Sequence, residues 1–125
     1  MTLAAEDWHE SHDNSALAHI ERGLIGTFLI FPAWLDHAAL LVEKDFNNRF
    51  LGIILTLMKK FPKRCYDGLA LAKKLEDELV PCPESHGWVA TLAGYMDRNC
   101  LCEEEDVIEH VRIIKEAAAR RRMGA

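Results

Sequence analysis

Residues 21–60, ERGLIGTFLIFPAWLDHAALLVEKDFNNRFLGIILTLMKK, decide the fold of this 125-residue chain. Pro32 suits the first turn of a helix, where its missing N–H costs nothing. It also restricts the residue before it to extended conformations, so one helix ends at Phe31. A second helix then runs from Pro32 to about Val42. Asp45 is a good N-cap for a third helix, and the stretch therefore predicts three helices with short connections.

Apolar residues recur every three or four positions along the chain, which is the period of helices with one buried face. No stretch keeps the alternation of two that a strand requires. The sequence therefore predicts an all-α fold, a compact bundle of about six helices. The predicted buried face of the first helix, after Ser15 as N-cap, contains Leu17, Ile20, Leu24, Phe28 and Phe31. That of the third helix contains Phe46, Phe50, Ile53 or Ile54, Leu57 and Phe61. Those of the last three contain Leu69, Ala72, Leu75 and Leu79, after Asp67 as N-cap, then Trp88, Leu92 and Tyr95 or Met96, and finally Val107, Val111, Ile114 and Ala118.

The composition, 50% hydrophobic and 28% charged, is typical of a soluble globular domain. We expect a flexible N-terminal tail over residues 1–14, one domain over 15–122 and a short C-terminal end at 123–125. The first residues lack the basic start and apolar core of a secretory signal, which favours a cytoplasmic location. The four cysteines are then expected to be reduced thiols. The net charge of −5 argues against a domain that clamps nucleic acid.

Soft metal ligands occur late in the chain. Four residues could bind zinc tetrahedrally, namely Cys82, His86, Cys100 and Cys102. Cys65 lies further away in the sequence. Their spacing is not that of a common zinc finger, and free cysteines are ordinary residues of helical cores. No serine or cysteine has the neighbours of a catalytic triad. We therefore predict no metal, no cofactor and no catalytic residue.

The last helix has opposite charges at its two ends. Residues 103–106 are acidic and residues 120–122 are arginines. Carboxylates near a helix N-terminus and cations near its C-terminus both interact favourably with the helix dipole. The acidic run could instead bind a divalent cation, and the arginines could contact phosphate or an acidic partner. The dipole accounts for the acidic run, whereas for the arginines both interpretations remain open.

The order of these features resembles the N-terminal domain of DnaB-type replicative DNA helicases of bacteria and phages. The similarity covers roughly residues 16–122, and its strength lies in the order and spacing of motifs that are weak singly. The residues that carry it are Leu24-Ile25-Gly26, Trp34, Asp45-Phe46, Asp67 with Leu71-Ala72 and Leu75, Gly87-Trp88 with Leu92-Ala93, and the segment VIEHVRIIKEAAARR from Val107.

The chain also departs from the pattern of that family. Leu51-Gly52 stand where the family usually has a histidine and a polar residue, and His110 replaces a tyrosine of the closing helix. Residues 80–86 contain Pro-Cys-Pro in place of a glycine pair. No G-x-x-x-x-G-K-[ST] phosphate loop occurs, so this chain is not expected to hydrolyse ATP. The prediction is a non-catalytic domain, not an enzyme.

The resemblance implies a role in DNA replication. In the family, this domain forms a collar of paired subunits above the ATPase ring and receives primase or a helicase loader. We therefore expect helicase subunits, primase or loader as partners, self-association to a dimer at most, and no direct sequence-specific contact with nucleic acid or membrane. The predicted partner interface is the outward face and end of the last helix, because charged rims often govern encounter with partners. It comprises Arg112, Lys115, Glu116 and Arg120.

Two alternatives to a helicase domain remain. One is a free-standing, phage-like modulator of a host helicase. The other is a DNA-binding regulator of helix-turn-helix type that uses the last helix as its reader. The acidic start of that helix disfavours the second alternative, because recognition helices usually lead into the groove with their N-terminal residues.

Overall fold

The structure is a computed structural model that describes residues 15–60, 68–97, 101 and 103–124. Over these residues the chain is helical and contains no β-strand, so the prediction of an all-α bundle is confirmed. The predicted tail at 1–14, and the predicted roles of Phe61 and Asp67, lie outside the described residues. The described elements are α1 (Ala16–Ile30), a first 3-10 helix (Pro32–Ala38), a second 3-10 helix (Glu43–Asp45), α2 (Arg49–Lys60), α3 (Gly68–Asp77), α4 (Gly87–Asp97) and α5 (Glu104–Gly124).

Both ends of α1 lie close to the positions that the sequence predicts. The hydroxyl oxygen of Ser15 accepts a hydrogen bond from the Ala18 N–H (3.2 Å), as expected of an N-cap. The helix ends at Ile30, with Phe31 as its C-cap residue, and Pro32 opens the next element. That element is a 3-10 helix that stops at Ala38, so the predicted helix to Val42 is too long.

The core surrounds α1, which packs against α2, α4 and α5. Twenty buried apolar residues form one continuous cluster, and the largest fully buried side chains come from every α-helix except α5. The members from α1 are Leu24, Ile25, Phe28 and Leu29, and those from α2 include Phe50, Leu51, Ile54, Leu55 and Met58. Because α2 has neighbours on two sides, its buried face is wider than a single stripe.

Backbone contact between α1 and α4 depends on Gly26. A Cβ atom at this position would lie 2.0 Å from the carbonyl oxygen of Tyr95. Real Cβ atoms do not approach a carbonyl so closely, and the two helices would have to separate to admit one. The glycine therefore sets the distance between the two helices that make the most extensive contact in the fold.

The prediction that Asp45 caps α2 is wrong. The cap is Asn48, whose side-chain oxygen accepts the Phe50 N–H at 3.0 Å. The buried carboxylate of Glu21, on α1, accepts the N–H groups of Asn47 (2.8 Å) and Asn48 (3.1 Å) just before the helix. Asp45 is unavailable as a cap because its own carboxylate binds residues elsewhere in the chain.

The predicted buried faces need three corrections. Leu69 and Leu79 are 68% and 87% exposed, and Leu71 takes the place of Leu69 in the core beside the predicted Ala72 and Leu75. Leu79 is exposed because α3 ends at Asp77 and Leu79 itself adopts a left-handed conformation (φ 59°). Phe31, at the end of α1, is exposed and stacks on Trp34 with ring centroids 4.4 Å apart.

Candidate interaction surface

Asp45 is the centre of a network that joins the loop before α2 to the end of α5. Its side chain has no exposed surface. One carboxylate oxygen accepts hydrogen bonds from the Val42 N–H (3.0 Å) and Lys115 Nζ (3.2 Å), and the other accepts from Arg122 Nη2 (2.6 Å). Arg121 donates to the main-chain carbonyl of Asp45 at 2.9 Å. The buried charge is therefore compensated by two cations and one N–H group.

These contacts keep Asp45 ionised. Burial by itself raises the pKa of the Asp45 carboxyl, but hydrogen bonds from Val42, Lys115 and Arg122, with the charge of Lys115, outweigh it. The net result is a pKa below the ordinary value. A carboxylate held in this way is a structural anion, since its hydrogen bonds favour the charged form.

The same network covers the main chain of residues 39–45. Lys59, from α2, donates to the carbonyls of Ala39 (3.5 Å) and Leu41, and Lys115 donates to the carbonyl of Leu40 at 3.2 Å. The bonds from Lys59 and Lys115 explain why the first 3-10 helix does not continue. Carbonyls that would accept bonds along a helix instead accept them from lysines of α2 and α5.

We define the basic edge as the cationic side chains gathered around this loop: Lys44, Lys59, Lys115, Arg121 and Arg122. Burial lowers the pKa of the Lys59 ammonium group; the charge of Asp45 opposes this shift and that of Lys115 adds to it. Two residues of the loop, Leu40 and Val42, are 80% and 52% exposed. The basic edge therefore combines positive charge with exposed apolar side chains.

The four residues of the predicted partner interface do not share one environment. Arg112 is exposed and pairs with Glu109 and Glu116 along the outward face of α5. Arg120 is exposed near the end of the helix. Lys115 instead faces the loop and Asp45, so it belongs to the basic edge and not to the outward face. The interface itself stays a prediction, but Lys115 also has a role inside the fold.

The acidic start of α5 is consistent with the dipole interpretation. Glu104, Glu105 and Asp106 occupy its first turn. Glu104 also contacts the first 3-10 helix through His37, with 2.5 Å between His37 Nε2 and the carboxylate. Ion pairs or hydrogen bonds therefore hold α5 to the preceding elements at both of its ends.

Only part of the possible zinc cluster lies within the described residues. Cys82 is half-buried, and its Sγ lies 3.2 Å from the hydroxyl of Thr91. His86 is exposed in the loop before α4. Cys65, Cys100 and Cys102 lie outside the described residues. Among the residues that the structure does describe, no three potential ligands come together around a common point.

The network around Asp45 could not be predicted from the sequence. The network around Asp45 links residues 70 to 77 positions apart, and no local pattern reveals such a pair. A signal for the cations was present, however. Lys115 follows Val111 by four residues, and Arg121 and Arg122 follow Ala118 by three and four, so helical spacing puts them beside the buried face.

Comparison of the chain with protein-family models, curated proteins and solved structures gave no match. Among the helices described here, none combines the length and apolar character needed to cross a membrane. The fold and the surface are therefore interpreted from their own chemistry, and the resemblance to the helicase domain stays a prediction.

Proposed function

We propose that this chain is a non-catalytic protein–protein interaction domain of a replicative DNA helicase of the DnaB type, acting in subunit association and in contact with primase or a helicase loader. The main support for the proposal is that residues which carry the resemblance lie in one core. Leu24, Ile25, Leu71, Leu75 and Leu92 are all buried in one core.

Four further residues of the resemblance have definite structural roles. Gly26 allows the close contact of α1 with α4, and Asp45 anchors the end of α5. Gly87 begins α4 with a positive φ of 89°, which glycine adopts without strain. Trp88 is buried, and its indole N–H donates to the carbonyl of Val80 at 2.9 Å. Motifs that were weak singly thus describe one packed bundle, which supports a common origin for their order and spacing.

A packed helical domain suits an interaction role because its surface is fixed before a partner arrives. Hydrogen bonds and ion pairs hold both ends of α5, so partners meet a preorganised face. Preorganisation lowers the entropy lost on binding. Self-association to a dimer at most is part of the same proposal.

The test is binding to replication proteins of the organism that encodes the chain. Purified chain is titrated against the DnaB-type helicase, the primase and the helicase loader in analytical ultracentrifugation, and its own mass is measured by light scattering. We expect a monomer or dimer that binds at least one of the three proteins with a dissociation constant of about 100 μM or lower. A stable hexamer of the isolated chain, or binding to none of the three proteins, would contradict the proposal.

The two alternatives predict different results. A modulator of a host helicase binds the ring of that helicase and alters its ATPase rate, whereas a helicase domain is recovered as part of such a ring. A DNA-binding regulator instead gives a salt-dependent shift of duplex DNA.

A further inference from the structure

We propose that the basic edge is a docking site for an acidic peptide segment that carries an apolar residue. The inference deepens the proposed function, on which it rests, by naming the chemistry of the partner. It depends on three properties of the surface: its charge, its exposed apolar residues and its rigidity.

The charge of the basic edge is opposite to that of the whole chain. The basic edge has five cationic side chains, and residues 39–45 contain two carboxylates, those of Glu43 and Asp45, so the balance over these residues is three positive charges. The chain as a whole carries a net charge of −5. Because oppositely charged patches steer association and exclude wrong partners, this surface favours an acidic segment.

Exposed apolar residues lie within the charged region. Leu40 and Val42 are among the large hydrophobic side chains with the most exposed surface, at 80% and 52%. They flank Leu41, which is fully buried, so the loop is anchored between them. An acidic segment with a leucine or similar residue would cover these side chains while its carboxylates reach the surrounding cations.

The cations are held in place before any partner binds. Arg121 Nη2 and Arg122 Nη2 donate to the carbonyl oxygen and the carboxylate of Asp45, and Lys115 is bonded to the same carboxylate. Each guanidinium carries five N–H donors in a planar fork. These bonds engage one nitrogen of each arginine, so the fork retains donors for a carboxylate of the partner, and little side-chain entropy remains to be lost.

Nucleic acid fits this surface less well. A nearby carboxylate repels phosphate, and Glu43 lies within the loop. Leu40 and Val42 have no partner on a phosphate backbone, whereas an apolar side chain of a peptide would cover them. The net negative charge of the remaining surface also repels a long polyanion.

The experiment uses the full chain and three fluorescent probes. The first is a ten-residue peptide of aspartate and glutamate with two central leucines, and the second has asparagine and glutamine in place of the acidic residues. The third is a ten-base-pair DNA duplex. Fluorescence anisotropy should give a dissociation constant on the order of 100 μM for the acidic peptide at low salt. Binding should weaken as salt rises, and the neutral peptide should bind at least tenfold more weakly.

Two variants test the location without disturbing the Asp45 network. The side chains of Lys44 and Leu40 are exposed, and only their main-chain carbonyls accept bonds from α5. Lys44→Glu should weaken peptide binding about tenfold and Leu40→Ser about fivefold. Lys74→Glu, on α3, makes the same change of charge away from the edge and serves as the control, with affinity within about twofold of the parent. Thermal melting followed by circular dichroism verifies that each variant is folded.

The outcomes separate this inference from the proposed function. Equal peptide binding by the parent, Lys44→Glu and Leu40→Ser overturns the inference, as does tighter binding of the DNA duplex than of the peptide. If primase, loader or helicase binds the parent chain and both variants equally, the inference is wrong but the proposed function stands. If the acidic peptide binds as expected and none of the replication proteins does, the inference stands and the proposed function fails.

Discussion

Asp45 and Arg122 lie 77 residues apart in sequence and 2.6 Å apart in the fold, joined by a hydrogen bond between Asp45 Oδ1 and Arg122 Nη2. The carboxylate is buried and the guanidinium is more than half exposed. The pair thus connects the interior of the loop before α2 with the surface at the end of α5. Its arrangement makes the stability of the domain depend on pH.

Replacement of Asp45 by asparagine should destabilise the domain at neutral pH by about 1–3 kcal/mol, because an amide satisfies the cations less well than a carboxylate. The pKa of Asp45 in the folded state is below its unfolded value of about 3.9. Its contribution is therefore complete above that unfolded value and is lost as pH falls through the folded pKa. Urea unfolding of the parent and Asp45→Asn at pH 7, 4 and 2.5 should show a difference that shrinks with acidity. A constant difference would contradict this account.

Glu21 is the second buried carboxylate, and we expect its replacement to loosen the start of α2. Glu21→Gln keeps one carbonyl oxygen for the N–H groups of Asn47 and Asn48 and should cost about 1–2 kcal/mol. Glu21→Ala leaves both donors without this acceptor and should cost about 2–4 kcal/mol. Urea unfolding measures both values, and hydrogen exchange at Asn47 and Asn48 should accelerate more in the alanine variant. Equal stability of the two variants would mean that the hydrogen bonds contribute little.

Gly26 and Gly94 offer a matched pair of helical glycines. Gly26→Ala inserts a Cβ into the α1–α4 contact and should destabilise the domain by about 3 kcal/mol or more. Apart from its own helix backbone and its chain neighbours, a Cβ at Gly94 would meet no atom of the described residues within 4 Å. Gly94→Ala should therefore stabilise the domain by about 0.5–1 kcal/mol through helix propensity alone. Thermal melts of both variants provide the comparison. If the two changes had the same sign, the close helix contact would not be the reason for glycine at position 26.

Leu79 has a strained backbone conformation at the C-terminus of α3. It is the one residue other than glycine with positive φ among those described, and its side chain is exposed. The Val80 N–H reaches back to the carbonyl of Leu75 at 3.0 Å, the long hydrogen bond of a Schellman motif. Leu79→Gly should therefore stabilise the domain by about 0.5–1 kcal/mol, whereas Leu79→Val, with a branched Cβ, should destabilise it. Urea midpoints that rank glycine below leucine would refute this.

The sequence predicts a helix end correctly where that end depends only on residues close to it in the chain. Ser15 and Pro32 start their elements as expected, because capping and the fixed φ of proline act over a few residues. Asp45 was misassigned for the opposite reason. Its sequence context is that of an N-cap, but Lys115 and Arg122 bind it from the far end of the chain.

The candidate site was predicted in part. The sequence predicts an interface of charged residues near the end of α5 but places it on the outward face, where Arg112 pairs with Glu109 and Glu116 on its own helix. That prediction does not include residues 39–45, because the second helix is predicted to extend to about Val42 and Asp45 is predicted to cap the third. The break between the two 3-10 helices is fixed by Lys59 and Lys115, whose contacts with the carbonyls of residues 39–41 are not encoded in the loop itself.

The hydrogen bonds between Asp45 and α5 affect the order in which the domain folds during synthesis. When the ribosome has released α1 to α4, the carboxylate of Asp45 has its Val42 N–H but lacks Lys115 and Arg122, and its main-chain carbonyl lacks Arg121. Burying an anion without its cations costs free energy. In a nascent chain of that length, the loop at residues 39–45 should therefore not yet hold its final conformation. Only the emergence of α5 supplies the missing charges, so the basic edge, to which Lys44 and Lys59 already belong, is completed at the same time that α5 fixes the loop.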